Sequence, residues 1–334
     1  VYALAVRKIP IEEALGLEIA HDITQIDPEK GIKGARFRKG HIVTEEDISV
    51  LKSMGKRHLY IIELTEKEIH EDEAALLMSQ KLRGNNVEAA GPEEGKISLK
   101  ASCDGLVVYD EEMVHSVNSC EDMLLSCLPP YSRVTKGKDV ASFRIIPLIM
   151  GRSQFNAVTS SMSHIQVRPF HPLRTALIST GSEVKEGLIR DQSLEKISPR
   201  VEALGGEVYI YRISGDGAAK VAAEIKDVLL EGAELVICTG GMSVDADDTT
   251  REGIESLASR VLFRRAPTLP GCNLELALVG SVPVIGVPAG VLYFDWTTLD
   301  LILPMVFAGV YPDREMVSRW GTRGLGCRVL PREV

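Results

Sequence analysis

From residue 173 onward the chain alternates two rhythms. Short apolar runs rich in β-branched residues are followed by segments whose apolar positions recur every third or fourth residue. The runs predict buried strands and the longer period predicts amphipathic helices. Strands are expected over 173–179, 207–214, 235–238, 260–263 and 283–287. Helices are expected over 193–204, 249–258 and 295–310. A further helix carries one stripe formed by Ala218, Val221, Ala222, Ile225, Val228 and Leu229. Pro267, Pro270 and Gly271 predict a loop between the last two strands. Strands separated by such helices imply an α/β domain, an open, mostly parallel sheet with helices on both faces.

The first half has a different pattern. A short helix over 11–15 is closed by Gly16, and 18–24 reads as extended. Thr44 with Asp47 resembles a capping box and opens a helix to Met54, closed by Gly55. Residues 58–64 then form a strand, which completes a small α+β element over 1–64. An acidic helix is expected over 65–83. Between 87 and 150 short extended runs alternate with turn signals such as Gly91-Pro92, Asp104-Gly105 and Pro129-Pro130. That rhythm predicts a small β-rich (barrel-like) domain, a barrel or an open sheet. Residues 151–164 read as a polar linker. The expected domains are therefore 1–64, 65–170 and 171–310, with a loose β tail over 311–334.

Composition narrows the function. Over 334 residues, 45% are hydrophobic and 25% charged, with a net charge of -9, as in globular proteins that do not bind nucleic acid. Among the six cysteines no C-x-x-C pair occurs, so zinc-site spacing is absent and a reduced, cytoplasmic setting is expected. The opening, Arg7-Lys8 followed by Ile9-Pro10 and charge, is not expected to be a signal peptide. The most apolar region, 276–310, is broken by Pro283, Pro288, Asp295, Asp300 and Pro304, so no membrane span is expected.

Candidate chemistry lies in the turns after the predicted strands. Thr180-Gly181-Ser182-Glu183 follows one, Gly215-Asp216-Gly217 another, and Thr239-Gly240-Gly241 with Asp245, Asp247 and Asp248 a third. Glycines let backbone N–H groups approach an anion, and carboxylates supply hard oxygen ligands to a divalent ion such as Mg²⁺. Helix capping is the alternative use of the same residues. No G-x-x-x-x-G-K-[ST] motif exists, so a P-loop is excluded. Ser160, Ser161 and Ser163 lack a G-x-S-x-G elbow.

These turns, with Met242-Ser243, Pro270-Gly271 and Gly286-Val287-Pro288, resemble in order and spacing the molybdopterin-binding fold. Molybdopterin molybdotransferases, molybdopterin adenylyltransferases and the gephyrin E domain share that fold. The segment 39–48 with Leu51 and Gly55 resembles a stretch of the molybdotransferase branch, although here residues 63–170 intervene. The resemblance implies binding of adenylated molybdopterin, insertion of molybdate and release of AMP. It implies Glu183, Asp216 and Asp248 as catalytic and Mg²⁺-binding residues. Thr180, Gly181, Gly240, Gly241, Ser243, Pro270, Gly271 and Pro288 would bind the cofactor. A homodimer and a recipient molybdoenzyme are the implied partners. The sequence departs from the family at Cys272 and Asn273, where lysine and proline are usual, at Leu269 in place of another lysine, and at Asp245 in place of glycine. Arg264 and Arg265 are candidates to restore the lost positive charge. The departures leave a second reading open, a molybdopterin carrier without its own chemistry, and a third, a different nucleotide-like ligand on the same fold.

Overall fold

The computed structural model describes residues 6–27, 32–62, 65–242 and 249–324. The chain divides into two compact units. The first comprises Val1–Ser102, Tyr109–Leu128 and Lys136–Gln166, and the second Cys103–Val108, Pro129–Thr135 and Val167–Val334.

In the first unit, strands Val6–Pro10 and His58–Ile62 pair antiparallel. A hairpin joins Ile23–Asp27 to Ile32–Phe37. The helix Glu45–Ser53 starts in the expected Thr44/Asp47 capping box. Ile9, Ile11, Ile23, Phe37, Leu51 and Leu59 close a small core around it.

The remainder of this unit corrects two expectations and decides a third. The acidic helix begins at Glu71, not near 65, because residues 68–70 pair as a strand with Ile149–Gly151 and the His70 ring accepts the Asp72 N–H at 3.1 Å. Of the two forms expected for the β-rich region, it takes the open one, an antiparallel sheet in the order Val87–Glu93, Lys96–Ala101, Asp139–Ile145, Met123–Cys127. The alternating burial of its strands fits one covered face, and the helix Glu71–Leu82 packs there, so closure is not needed to bury the apolar side. The polar linker contains the helix Arg152–Thr159, nucleated on the fully buried Phe155.

The second unit holds the α/β sheet. Its elements are β1 (Arg174–Thr180), α1 (Ser193–Glu202), β2 (Glu207–Ser214), α2 (Ala218–Leu230) and β3 (Leu235–Thr239). They continue with α3 (Thr250–Leu257), β4 (Arg260–Arg264), β5 (Glu275–Val279), β6 (Val282–Val287) and α4 (Thr298–Phe307). The strand order is β2-β1-β3-β6-β5-β4. The first four run parallel, and β5 and β4 add an antiparallel edge.

Alternate strand residues feed opposite cores. Leu177, Leu235, Ile237 and Ile285 meet α1 and α4 through Ile197, Val201, Ile302 and Phe307. Ala176, Ile178, Val236 and Cys238 meet α2 and α3 through Val221, Ile225, Val228 and Ile254. Both faces of the sheet are thus covered, as the pattern predicts.

One strand, one helix start and the tail differ from expectation. β5 lies where a loop continuing into an apolar run was expected, and pairs with β6 through a tight turn at Gly280, φ 61°. α4 starts at Thr298 because Thr297 and Asp300 form a capping box, with Thr297 N–H donating to Asp300 at 2.7 Å. Residues 314–318 and 319–323 are short helices instead of loose β. Strands Gly105–Val108 and Arg133–Val134 pair within the second unit, where Leu106 packs with Met305 and Ala308. Among the described residues no helix is long and apolar enough to cross a membrane.

Phe307 is fully buried and fills the space left by Gly206, where a Cβ would meet its ring at 2.6 Å. Phe307→Ala should therefore destabilise the fold by about 3–5 kcal/mol. Leu230→Ala, at an 87% exposed position, should stay within about 0.5 kcal/mol. Urea unfolding followed by circular dichroism reads both.

Candidate functional site

The chain leaves β1 for β2 on one side and returns to β3 on the other, so β1 and β3 flank a topological switch point. Ligands of open α/β sheets bind outside the carboxyl ends of strands at such a point. Thr180, Gly181, Gly240 and Gly241 sit there, since Ser179 pairs with Thr239 in the last register of β1 and β3.

The two turns touch closely. Gly240 has φ 89°, and a Cβ on it would fall under 3.0 Å from the Thr180 carbonyl. Only glycine fits both demands. Gly241, φ 55°, faces the Thr250 hydroxyl, which a Cβ would meet at 2.5 Å. Thr180 is buried, donates to the Thr239 carbonyl at 2.9 Å and shares a hydrogen bond with Thr250 at 2.9 Å.

Asp216 ties the β2 turn to the β1 turn. Its Oδ2 accepts the Ser182 N–H at 2.9 Å, and Gly181 N–H donates to the Ser214 carbonyl at 3.2 Å. Gly217 N–H donates to the Thr249 hydroxyl at 2.9 Å, which draws in the start of α3. Glu183 is exposed on the one-turn helix Ser182–Lys185, beside Gly181. Ser243, Asp245, Asp247 and Asp248 lie outside the described residues. Among the described residues no three His, Cys, Asp or Glu side chains gather as a metal cluster.

The remaining candidates occupy the same sheet edge. Pro288 follows directly on β6. Pro270 and Gly271 precede β5, whose first residue pairs with Gly286 near the end of β6. The Pro270 carbonyl accepts the Thr298 N–H at 3.1 Å and its hydroxyl at 3.2 Å. Gly271, φ 103°, lets this loop lie on the start of α4.

Several contributors were not visible in the sequence pattern. Thr250 reads only as a helix cap, Thr268 as a loop residue and Thr298 as a helix residue, and the last two are hydrogen-bonded at 2.6 Å. Asp191 accepts the Ser193 N–H at 2.7 Å and the Tyr211 hydroxyl. Burial works against its charge, but hydrogen bonds from Ser179, Tyr211 and Ser193 hold its carboxyl below the usual range. Burial and Asp191 together push Tyr211 up to about 12. Arg264 is not a free cation, because it pairs with Glu255.

Glu275 is fully buried at the start of β5. One oxygen accepts from Arg251 Nε at 3.0 Å, while Oε1 has no hydrogen-bond partner. Arg251 also donates to the Asn273 carbonyl at 3.3 Å, so α3 and the 268–274 loop are joined through it. A carboxylate inside the apolar run Leu274 to Val279 is the signal that marks this position.

Residues 176–307 match the family model described as a probable molybdopterin binding domain. Residues 8–63 match a domain of unknown function. A CinA-like protein of Mycolicibacterium vanbaalenii is 26% identical over 166 residues, which is 44% of this chain and 39% of that protein. A CinA-like protein of Mycobacterium tuberculosis is 27% identical over 171 residues, again 44% and 39%. The matched part thus spans 39% of the length of these curated relatives. A molybdopterin biosynthesis protein from Mycobacterium abscessus aligns with 41% of this chain and 96% of its own, at 16% identity and a TM-score of 0.37. Over its α/β domain the chain is thus similar to a probable molybdopterin binding domain.

Gly240→Ala should strain the turn and push it off Thr180, costing about 1–3 kcal/mol. A lowered melting temperature in scanning calorimetry would register it. Burial pushes Glu275 up to about 7 from 4.5, with Glu255 adding and Arg251 opposing. The folded chain therefore keeps a proton that the unfolded chain loses, and stability falls as pH rises across that window. Glu275→Gln removes this dependence. Urea midpoints of wild type should drop relative to the variant between those two pH values and run parallel above about 7.

Proposed function

We propose that this chain acts in molybdenum cofactor biosynthesis. It binds adenylated molybdopterin across the carboxyl edge of β1, β3 and β6 and inserts molybdate with release of AMP. The observation that carries this reading is the junction of the turns at the switch point. There Gly181, Gly240 and Gly241 offer backbone without side chains, and Asp216 clamps the β2 turn to Ser182. The family match of residues 176–307 supports molybdopterin as the ligand.

In this reading Thr180, Gly181, Gly240, Gly241 and Ser243 cradle the phosphates, and Pro270, Gly271 and Pro288 border the ligand. The residues present fit a Mg²⁺ ion shared with phosphate. Asp216 has one oxygen committed to Ser182, and Glu183 is exposed nearby. Mg²⁺ is commonly held by one or two carboxylates plus substrate phosphates. Glu183, Asp216 and Asp248 would hold it, and it would neutralise charge on the phosphoanhydride. Asp216, through Ser182, keeps the two turns in register while the ligand is bound.

A second reading is a carrier that binds molybdopterin for a recipient molybdoenzyme without turnover. Cys272 and Asn273 favour it, because uncharged residues border the ligand on that loop, and so does the neutralisation of Arg264 by Glu255. A homodimer belongs to both readings, and sedimentation velocity reads it directly.

The test is an assay of AMP release from adenylated molybdopterin with molybdate and Mg²⁺, paired with calorimetric binding. Asp216→Asn should reduce release by about 100-fold, comparable to losing one preorganised electrostatic group. Tight binding with release at background selects the carrier. Absence of molybdopterin binding overturns both.

A further inference from the structure

We infer that Lys185 and Lys220 form an anion subsite over the backbone of Gly215, which takes the phosphate or pyrophosphate part of the bound molecule. This rests on the reading that the ligand is phosphorylated. Gly215 opens the turn after β2 and is buried, with no side chain of its own. Lys185 reaches it from the helix Ser182–Lys185, and Lys220 from the first turn of α2. Around the point where a Gly215 Cβ would sit, the Lys220 ammonium lies at 3.7 Å and the Lys185 ammonium at 3.9 Å, with the Lys185 stem at 3.2 Å.

Two like charges from separate helices therefore converge on one stretch of backbone that carries no side chain. Such charges repel unless an anion lies between them. Among the described residues no carboxylate pairs with either ammonium group. Several other cations of this domain pair with carboxylates: Arg200 with Asp300, Arg251 with Glu275 and Arg264 with Glu255. Arg212 likewise pairs with Glu224 and Glu231. Asp216, the adjoining carboxylate, has an oxygen committed to the Ser182 N–H. The lysines thus bring positive charge to an edge whose 269–273 loop carries none. Lysine is a compact point charge on a flexible stem, suited to phosphate oxygens that arrive in more than one geometry.

The experiment titrates inorganic pyrophosphate into the full chain by calorimetry. The variants are Lys185→Gln, Lys220→Gln, the double Gln variant and the double Arg variant. Each single Gln change should weaken binding by about five-fold, the scale of one exposed charge pair. The double Gln change should weaken it further, and the double Arg variant should retain it. Added salt should weaken the wild type more than the double Gln variant. Unchanged affinity in the double Gln variant, or no binding of pyrophosphate by the wild type, overturns the subsite. A parallel titration with adenylated molybdopterin separates the two proposals. Lysine-dependent pyrophosphate binding without cofactor binding keeps the subsite and sinks the proposed function. Cofactor binding indifferent to the double Gln change keeps the function and sinks the subsite.

Discussion

The approach of the Gly240 backbone to the Thr180 carbonyl is the constraint on which the second unit depends. It fixes how near the ends of β1 and β3 can come. The Thr180–Thr250 hydroxyl pair then anchors the first turn of α3. The same contact leaves an edge of bare peptide where a side chain would otherwise fill the crevice. Glycine is demanded here twice over, by a positive φ and by distance. Bare peptide edge and strand packing are in this way one geometric solution.

From that contact the polar links spread outward in short steps. Asp216 joins the β2 turn to the β1 turn, Thr249 joins α3 to Gly217, and Arg251 joins α3 to the loop before β5. Each link spans elements far apart in sequence. None is deep in the hydrocarbon core except at Glu275, where burial and an unpartnered oxygen make the carboxylate's charge costly. The edge is therefore held by polar contacts above a dry interior.

What could be read in advance follows the range of the interactions. The α2 stripe and the Thr44/Asp47 cap depend on residues within a turn or two, and both were legible. So were the glycines at 181, 240 and 241, because their demand is a local backbone shape. The pairing of Thr180 with Thr250 and of Glu275 with Arg251 joins positions that nothing local connects. β5 was hidden because Pro267, Pro270 and Gly271 mark a loop immediately before it. The start of the acidic helix was hidden because its cap is a histidine, an uncommon N-cap residue. The choice between a barrel and an open sheet stayed undecided because it rested on a count of short strands, and a count cannot distinguish closure from a sheet whose apolar face a helix already covers.

The strand Gly105–Val108 has one more consequence. It lies in the second unit although the residues on either side belong to the first. Leu106, fully buried, completes a patch with Met305 and Ala308 at the end of α4. The second unit is consequently not a cassette that can be lifted out by cutting near residue 170. A gene fragment encoding only the later half would lack part of its own sheet architecture.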